Sequence, residues 1–269
     1  MASSIQVAIK TYQRSEVLRD KTLALLLRHG FAPSDITLFV ASQSEQDAYA
    51  KVVGKSVGAI VVQKEPGIRG VVRTYRKHFQ SGQWVLHCDD DLIDLMVAAT
   101  PKQLVPIKHL HDYTNQMFAL AVQSRVRLWS IYPAANAFFM QNAVVSGLRF
   151  CSGCFHGFIS DAGSDEALLP TVNYKDDVES SIRYFLRDGA VLRDERVVPK
   201  TQYFKSGGGG TAGDGHDDRL ALHVADAKAI AHAWPGLCKT VRKKSFGGLD
   251  VRMNSSIKPS IVCASPAVF

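Results

Sequence analysis

The first 95 residues alternate between short apolar segments and amphipathic segments with helical spacing. Segments typical of buried strands lie at 5–12, 35–42, 58–65 and 83–89, and segments typical of helices lie at 18–30, 45–53 and 70–79. Strands separated by helices pair in parallel through crossover connections, which places helices on both faces of the sheet. This pattern predicts an α/β fold with a Rossmann-type sheet, whose ligand sites gather at the carboxyl ends of the strands.

The composition is that of an ordinary globular protein with a basic balance. The 269 residues carry a net charge of +7, and apolar residues make up 46% of them. A basic surface suits nucleic acid, anionic lipid or phosphorylated small molecules as partners. The start of the chain lacks a signal-peptide pattern, the uncharged run at 128–148 is too polar for a membrane span, and the five cysteines are an odd number. These features predict a cytoplasmic protein with reduced thiols and no membrane partner.

Three consecutive carboxylates, Asp89, Asp90 and Asp91, follow the fourth predicted strand. Like charges at such close range repel each other unless a cation lies between them. One interpretation is a divalent cation shared with diphosphate oxygens, because Mg²⁺ and Mn²⁺ favour oxygen ligands. The alternative is the start of a helix over 92–99, where an Asp is a good cap. The strand context favours the metal, since a cap needs one Asp and not three.

Four ordered segments carry a resemblance to a known family. They read IKTYQRSEVLRDKTL (9–23), FVASQSE (39–45), KEPGIRGVVRTYRKHF (64–79) and WVLHCDDDL (84–92). Together they resemble GT-A glycosyltransferases, and more narrowly the glycosyltransferases associated with TET/JBP hydroxylases, which glycosylate hydroxymethylated pyrimidines in DNA. The resemblance implies one GT-A domain, with a nucleotide-sugar-binding half at 1–95 and an acceptor-binding α+β half at 96–269.

The resemblance also implies a donor site at the strand ends. The nucleotide would lie against Thr11, Tyr12, Arg14, Ala41, Ser42, Gly67, Gly70 and Arg73. Asp91 would bind Mn²⁺ or Mg²⁺ directly, and Asp89 would bind the metal, its water or the ribose, with Asp90 beside them. His216 is a further candidate metal ligand. Arg73 would lie near the acidic triplet and offset its charge.

A helix is predicted over 173–189, with an apolar stripe and a stop at Gly189. Asp176 and Glu179 have the spacing of a capping box, which leaves Asp177 without a structural role. Inverting GT-A enzymes often carry an acidic pair at such a helix start. The resemblance therefore implies Asp177, with Asp176 in reserve, as the general base, and the helix dipole would keep this carboxylate ionised.

The stretch 130–160 suits an acceptor platform of irregular strands. Asn136 and His156 are hydrogen-bond candidates there, although a structural role is favoured for each. Cys151 and Cys154 form a lone C-x-x-C, and plain thiols are favoured because a structural zinc site needs two more ligands.

The segment 205–219 holds six glycines in fifteen residues, which predicts a loop rather than a helix or strand. Its predicted role is to close over the nucleotide sugar and exclude water. Lys205 or Arg219 would then meet phosphate.

Basic residues are dense at 73–79 and 239–246, and Arg125 and Arg127 add to them. Such runs suit phosphate backbones, and the alternative is a solvated basic face. A target base in a duplex has to be flipped out before an enzyme reaches it. The candidates to stack on such a base are Phe155, Phe158 and Tyr203.

These features predict a metal-dependent glycosyltransferase that moves a sugar from a UDP-sugar to a hydroxymethylated pyrimidine in DNA, with inversion. The expected base is 5-hydroxymethylcytosine, and the expected setting is a phage-encoded enzyme in the host cytoplasm. One alternative is the same enzyme class acting on a glycan, a protein or a small molecule. The other alternative is a catalytically inactive nucleic-acid-binding module.

Overall fold

The fold is taken from a computed structural model, which describes residues 4–100, 103–201, 216–243 and 248–257. The strands are β1 (Gln6–Lys10), β2 (Ile36–Val40), β3 (Ala59–Val62), β4 (Trp84–Asp89), β5 (Leu92–Thr100), β6 (Gln103–Pro106), β7 (Leu128–Ile131), β8 (Val144–Gly147), β9 (Phe155–Ile159), β10 (Val191–Asp194), β11 (Val197–Thr201), β12 (Cys238–Arg242) and β13 (Leu249–Met253). The α-helices are α1 (Ser15–Leu18), α2 (Ala24–Arg28), α3 (Gln43–Val53), α4 (Gly67–His78), α5 (Leu110–Gln123), α6 (Asp176–Asp188) and α7 (His216–Ala233).

The main sheet has eight strands in the order β3-β2-β1-β4-β9-β7-β10-β8. The first four strands are parallel and are connected by helices. The predicted α/β fold with a Rossmann-type sheet is therefore confirmed. β9 runs antiparallel to both β4 and β7 and lies between them. The prediction of irregular strands over 130–160 is thus wrong for β9, which is a regular central strand.

Alternate residues of each strand point to opposite faces of this sheet. Both sets contain buried apolar side chains, and helices cover them on both faces. Ile9 and Leu86 pack in a core with residues of α1, α2, α3 and α5. Ala8 and Val85 pack in a second core with residues of α4, α6 and α7. Burial of each large apolar side chain contributes about 1.5–3 kcal/mol, so the two cores hold the strand ends in fixed positions.

The first predicted helix, 18–30, begins earlier than expected. α1 starts at Ser15, a π-helical turn at Arg19–Leu23 leads into α2, and the helix ends before Gly30, which has a φ of 84°. Only glycine adopts this left-handed conformation at little cost, so the predicted stop is in place.

The remaining strands lie outside the main sheet. β11, β5 and β6 form a three-stranded sheet, and β12 pairs with β13 in a hairpin. The expected boundary between the two halves, at 95/96, falls inside β5. No helix within the described ranges has the length and apolar character needed to cross a lipid bilayer.

Candidate active site

The carboxyl ends of β1 and β4 lie side by side and bring Lys10 next to Asp89. The turn at Asp90 and Asp91 leads directly into strand β5, so no helix follows the triplet. The alternative interpretation of the triplet as a helix cap is therefore wrong. The three carboxylates lie at the sheet edge where α/β proteins bind their ligands.

A hydrogen-bond chain ties the first strand-to-helix turn to the triplet. The backbone N–H of Arg14 donates to the Tyr49 hydroxyl (2.9 Å), and that hydroxyl lies 2.6 Å from Thr11 Oγ1. Thr11 Oγ1 donates to Asp90 Oδ2 (2.8 Å), so the Tyr49 hydroxyl is the donor to Thr11. The Arg14 guanidinium lies 3.3 Å from Asp90 and 3.8 Å from Asp91. Burial raises the pKa of Asp90 to about 6, although the hydrogen bond from Thr11 opposes the shift.

Glu45, which sequence analysis did not single out, joins the first two strand-to-helix turns. Its carboxylate accepts the backbone N–H groups of Gln13 (2.8 Å) and Ala41 (2.9 Å). Ser42 caps α3 by accepting the backbone N–H of Glu45 (3.3 Å). Tyr12 is half-buried in the first turn. The two turns therefore form one surface beside the triplet, in which the Ser42 hydroxyl has a structural partner.

The two glycines of the third helix start have packing neighbours. A Cβ on Gly70 would overlap the backbone carbonyl oxygen of Glu65. Gly67 has a φ of 82°, and a Cβ there would lie 3.0 Å from Asn173 Oδ1. The fold alone therefore explains why both positions need glycine, without a nucleotide against their backbone.

Arg73 lies away from the triplet. Its guanidinium is 3.7 Å from Glu65 and 3.1 Å from Glu166. The cations that contact the triplet are instead Lys10 and Arg14. The prediction that Arg73 offsets the triplet's charge is wrong, because α4 points this side chain toward the loop before α6.

Lys10 is a site residue that sequence analysis missed. Its ammonium lies 3.3 Å from Asp89 Oδ1. Burial opposes a charged amine, but the carboxylates of Asp89, Asp176 and Asp177 outweigh it and raise the pKa of Lys10. Burial alone would raise the pKa of Asp89, yet Lys10 and His87 bring it down to about 2. Lys10 and Asp89 therefore form a charged pair at the centre of the site.

The acidic pair predicted to supply the base begins α6. Asp177 Oδ1 accepts the backbone N–H of Val178 (2.8 Å), and Oδ2 accepts that of Gly153 (3.4 Å). A Cβ on Gly153 would lie 3.6 Å from Asp177 Oδ2 and 3.7 Å from Lys10 Nζ. The acids of α6 and the triplet of β4 thus meet around Lys10, although the sequence separates them widely.

Burial acts against ionisation at the start of α6. It raises the pKa of both Asp176 and Asp177, and the charge of Lys10 opposes the shift. Burial therefore works against the predicted effect of the helix dipole, which favours the ionised carboxylate. A raised carboxyl pKa suits proton acceptance near neutral pH.

The predicted capping box between Asp176 and Glu179 does not form. Lys175 occupies the N-cap position, and no side chain caps this helix. Glu179 is fully buried and accepts two backbone N–H groups of the preceding loop, at 2.8 and 3.0 Å. Arg183 donates to the same carboxylate at 2.6 Å. Glu179 therefore anchors the loop that leads into the acidic pair.

We expect Glu179→Ala to destabilise the protein by about 3 kcal/mol, because it leaves Arg183 and two backbone N–H groups without their acceptor. Urea denaturation followed by circular dichroism measures this loss. Glu166→Ala is the matched control, since Glu166 is exposed and water screens its ion pairs with Arg73 and Lys77. Equal losses in the two variants would contradict the anchoring role.

The triplet fits a hard divalent cation in part. Carboxylate oxygens are suitable ligands, although Asp89 Oδ1 already faces the Lys10 ammonium at 3.3 Å. Across the described residues, no three His, Cys, Asp or Glu side chains are grouped to hold a metal. His216 begins α7, but its side chain lies outside the described set. The residues present therefore fit Mn²⁺ or Mg²⁺ when ligand oxygens complete the coordination.

Side chains predicted to contact the acceptor are mostly buried. Phe155 and Phe158 lie on β9 and are 0% and 1% exposed, so the prediction that either stacks on a flipped base is wrong. His156 is buried as well, and burial lowers its pKa well below the usual value. Asn136 is exposed, and its side chain caps a short helical turn.

The predicted closing loop falls largely outside the described residues, which end at Thr201 and resume at His216. Tyr203 and Lys205 belong to this part of the chain. Arg219 is described, as a half-buried residue of α7.

The basic run at 73–79 is neutralised within the fold. Arg73 and Lys77 both pair with Glu166, at 3.1 and 2.7 Å. Arg76 is buried, with its guanidinium 3.8 Å above an aromatic ring. Arg127 pairs with a carboxylate of α6 at 2.7 Å. This run is therefore not a surface for phosphate.

The β12–β13 hairpin carries exposed cations beside the start of α6. Lys239 and Arg252 lie opposite each other and are exposed. Asp250 accepts the ammonium of Lys175 (2.7 Å) and pairs with Lys243 (2.6 Å). Lys175 directly precedes the acidic pair. The fold thus brings this basic hairpin, which is remote in sequence, next to the candidate base.

A separate cavity of about 790 Å³ lies between β5, α5 and the segment 137–142. Its lining includes the ion pair of Asp194 and Arg196, whose atoms are 2.9 Å apart. Neither the triplet nor the acidic pair of α6 lines it. The cavity is therefore distinct from the candidate active site.

Several solved structures are similar to this chain, a mannosyltransferase and a mycobacterial protein among them. A mannosyltransferase from Pyrobaculum calidifontis, in complex with GDP-Man and Mn²⁺, superposes on 86% of the chain with a TM-score of 0.52 and 16% identity. The chain spans 65% of that enzyme. A mycobacterial protein superposes on 94% of the chain, over 84% of its own length, with a TM-score of 0.53 and 12% identity.

No protein-family model matches this sequence, and no curated protein matches it. The likeness concerns the fold alone: the chain shares with these two structures an α/β architecture of the GT-A-like, Rossmann-type kind that the sequence predicted. The narrower resemblance to the TET/JBP-associated group stays a prediction.

Proposed function

We propose that this protein is a metal-dependent glycosyltransferase that takes its sugar from a UDP-sugar. The observation that carries the proposal is the meeting of two acidic groups around Lys10. One group, the triplet, suits a metal and a diphosphate. The other, at the start of α6, suits removal of a proton from an acceptor. Sugar transfer needs both functions within one site.

The donor side would be formed by the first two strand-to-helix turns and the triplet. Asp91 and Asp89 would hold Mn²⁺ or Mg²⁺. The nucleotide would bind beside Thr11 and Arg14, which contact Asp90 and Asp91. The bound metal supplies positive charge that stabilises the leaving diphosphate. Arg14 adds a permanent cation at the same edge.

The transfer step would be a direct displacement. Asp177 would accept the proton of the acceptor hydroxyl while that oxygen forms a bond to the anomeric carbon. The bond between this carbon and the diphosphate breaks, and its electron pair leaves with the diphosphate. Attack from the opposite face inverts the anomeric configuration. Asp176, the preceding residue, is the reserve candidate for the base.

We propose a hydroxymethylated pyrimidine in DNA, 5-hydroxymethylcytosine first, as the acceptor. The basic hairpin supports this proposal, because it places cations beside the candidate base. Lys239 and Arg252 face each other, an arrangement that is unfavourable unless an anion lies near. DNA phosphates are such anions, and the target base would be flipped toward Asp177.

The test is incubation with a panel of UDP-sugars, Mn²⁺ and 5-hydroxymethylcytosine DNA, followed by mass spectrometry of the nucleosides. We expect one sugar to be added to the modified nucleoside in the presence of the metal. Transfer to a glycan, protein or small molecule but not to DNA would show that DNA is not the acceptor. DNA binding without any transfer would favour the inactive-module alternative.

Neutralising the basic hairpin is expected to weaken DNA binding and flatten its salt dependence. The variant is Lys239→Gln with Arg242→Gln, two exposed residues of β12. Each lost phosphate contact lowers the slope of log affinity against log salt by about one. Fluorescence anisotropy over a salt series measures the DNA affinity and this slope. The affinity for UDP should not change. Lys244, in the same run, lies outside the described residues.

Arg73→Gln with Lys77→Gln is the matched control for the hairpin variant. It removes the same charge from α4, where both residues pair with Glu166. We expect its salt slope to match that of the wild type. If the two double variants bind DNA equally well, the hairpin is only a solvated basic face.

A further inference from the structure

We infer that Lys10 is a positioning residue of the transfer step: its ammonium sets the place of Asp177 relative to Asp89. The inference rests on the proposed function, which assigns the donor side to the triplet and the base to Asp177. It adds a residue that neither the motif pattern nor the resemblance pointed to.

The geometry places Lys10 between two carboxylates from different parts of the chain. Lys10 ends β1 at the position that pairs with Asp89 of β4, and the two charges are 3.3 Å apart. On the other side, Lys10 Nζ and Asp177 Oδ2 border the space left by the missing side chain of Gly153. The ammonium therefore contacts Asp89 on the donor side and faces Asp177 across the gap at Gly153.

The neighbouring cations have other partners. Lys175 contacts Asp250 at 2.7 Å, and Arg14 contacts the other two acids of the triplet. Without the ammonium of Lys10, Asp89 and the acidic pair of α6 would repel each other across the gap. The base would then lie farther from the donor, and displacement by about 1 Å costs about 10²-fold in rate.

Lys10 acts by charge and position, because its ammonium lies against Asp89 and borders the same gap as Asp177. Burial raises the pKa of two nearby thiols, Cys151 and Cys154, to about 12, so they stay neutral. Several charged or titratable groups face Asp177. Lys10 on β1 and Lys175 at the start of α6 favour its charged form. Asp177 in turn acts on Asp176 and on these two thiols before β9.

The first test compares Lys10→Met with Lys10→Arg. Met keeps most of the length without the charge, and we expect kcat to fall about 10²-fold while the donor KM changes by less than about threefold. Arg retains the cation and should recover part of kcat. Lys51→Met, on the exposed face of α3, is the control and should behave as wild type.

Chemical rescue separates a positioning role from a structural one. Lys10→Cys treated with 2-bromoethylamine forms a thioether by displacement of bromide, which restores an ammonium at lysine's length. We expect kcat to recover in this variant, with treated wild type as the control. Failure of both the arginine variant and the alkylated variant to recover kcat would overturn the inference.

A second readout does not depend on sugar transfer. Carbon-13 NMR of the Asp177 carboxyl follows its pKa, which should rise by about one unit or more in Lys10→Met, because the nearby cation is lost. An unchanged Asp177 pKa would overturn the inference. If the wild type transfers no sugar to any acceptor, the proposed function fails, and this titration still decides whether Lys10 acts on Asp177.

Discussion

Replacing Asp91 with alanine is expected to abolish sugar transfer and the metal-dependent binding of UDP. Asp91 is the triplet member on the turn into β5, and its carboxylate lies 3.8 Å from the Arg14 guanidinium. Its main role would then be to bind the metal that contacts the diphosphate. A metal in that position stabilises the charge of the transition state by several kcal/mol. A loss of this size is about 10²-fold or more in kcat/KM.

Calorimetry with UDP, in the presence and absence of Mn²⁺, measures the effect together with nucleoside mass spectrometry. Asp47→Ala is the control, because Asp47 is an exposed acid of α3. The thermal midpoint of Asp91→Ala should stay close to that of the wild type, since the ion pair of Asp91 with Arg14 is long, at 3.8 Å. Wild-type turnover with Mn²⁺ in Asp91→Ala would remove Asp91 from the metal site.

Asp177→Asn is expected to lower kcat by ~10² to 10⁴ while leaving UDP affinity unchanged. An amide has the shape of the carboxylate and its oxygen still accepts the backbone N–H of Val178. It does not take a proton from an acceptor hydroxyl. Steady-state kinetics and calorimetry together separate the loss of turnover from any loss of donor binding.

Asp176→Asn is the companion of that variant. If it loses turnover and Asp177→Asn does not, the base is Asp176. The pH dependence gives a further check, because a base works in its ionised form. Activity should be retained above the carboxyl pKa and lost as the pH falls through it. Burial raises that pKa, so the loss should begin closer to neutral pH than for an exposed Asp.

Local pattern was enough to predict the parallel half of the sheet. Apolar runs separated by helical periodicity identify β1 to β4 and their helices, since burial on both faces requires such runs. The same pattern placed the acidic triplet at a strand end. It did not separate a helix from strand β5 after the triplet, because the short segment 92–99 suits both.

Local sequence pattern did not predict which residues are neighbours in space. Whether Glu179 caps its own helix or anchors the loop before it depends on where buried N–H groups lie, and these belong to tertiary structure. The basic run at 73–79 shows the same limit. Its charges look available in sequence, yet two of them, Arg73 and Lys77, form ion pairs with Glu65 and Glu166.

The sequence by itself determined the class of fold and the position of the triplet at the end of β4. The tertiary structure decided which residues share the site. Insertion of β9 between β4 and β7 brings Gly153 and Asp177 to the triplet's edge, and β1 brings Lys10 between them. Periodicity reports how each segment is buried, whereas the order of strands depends on packing energies summed over the whole sheet.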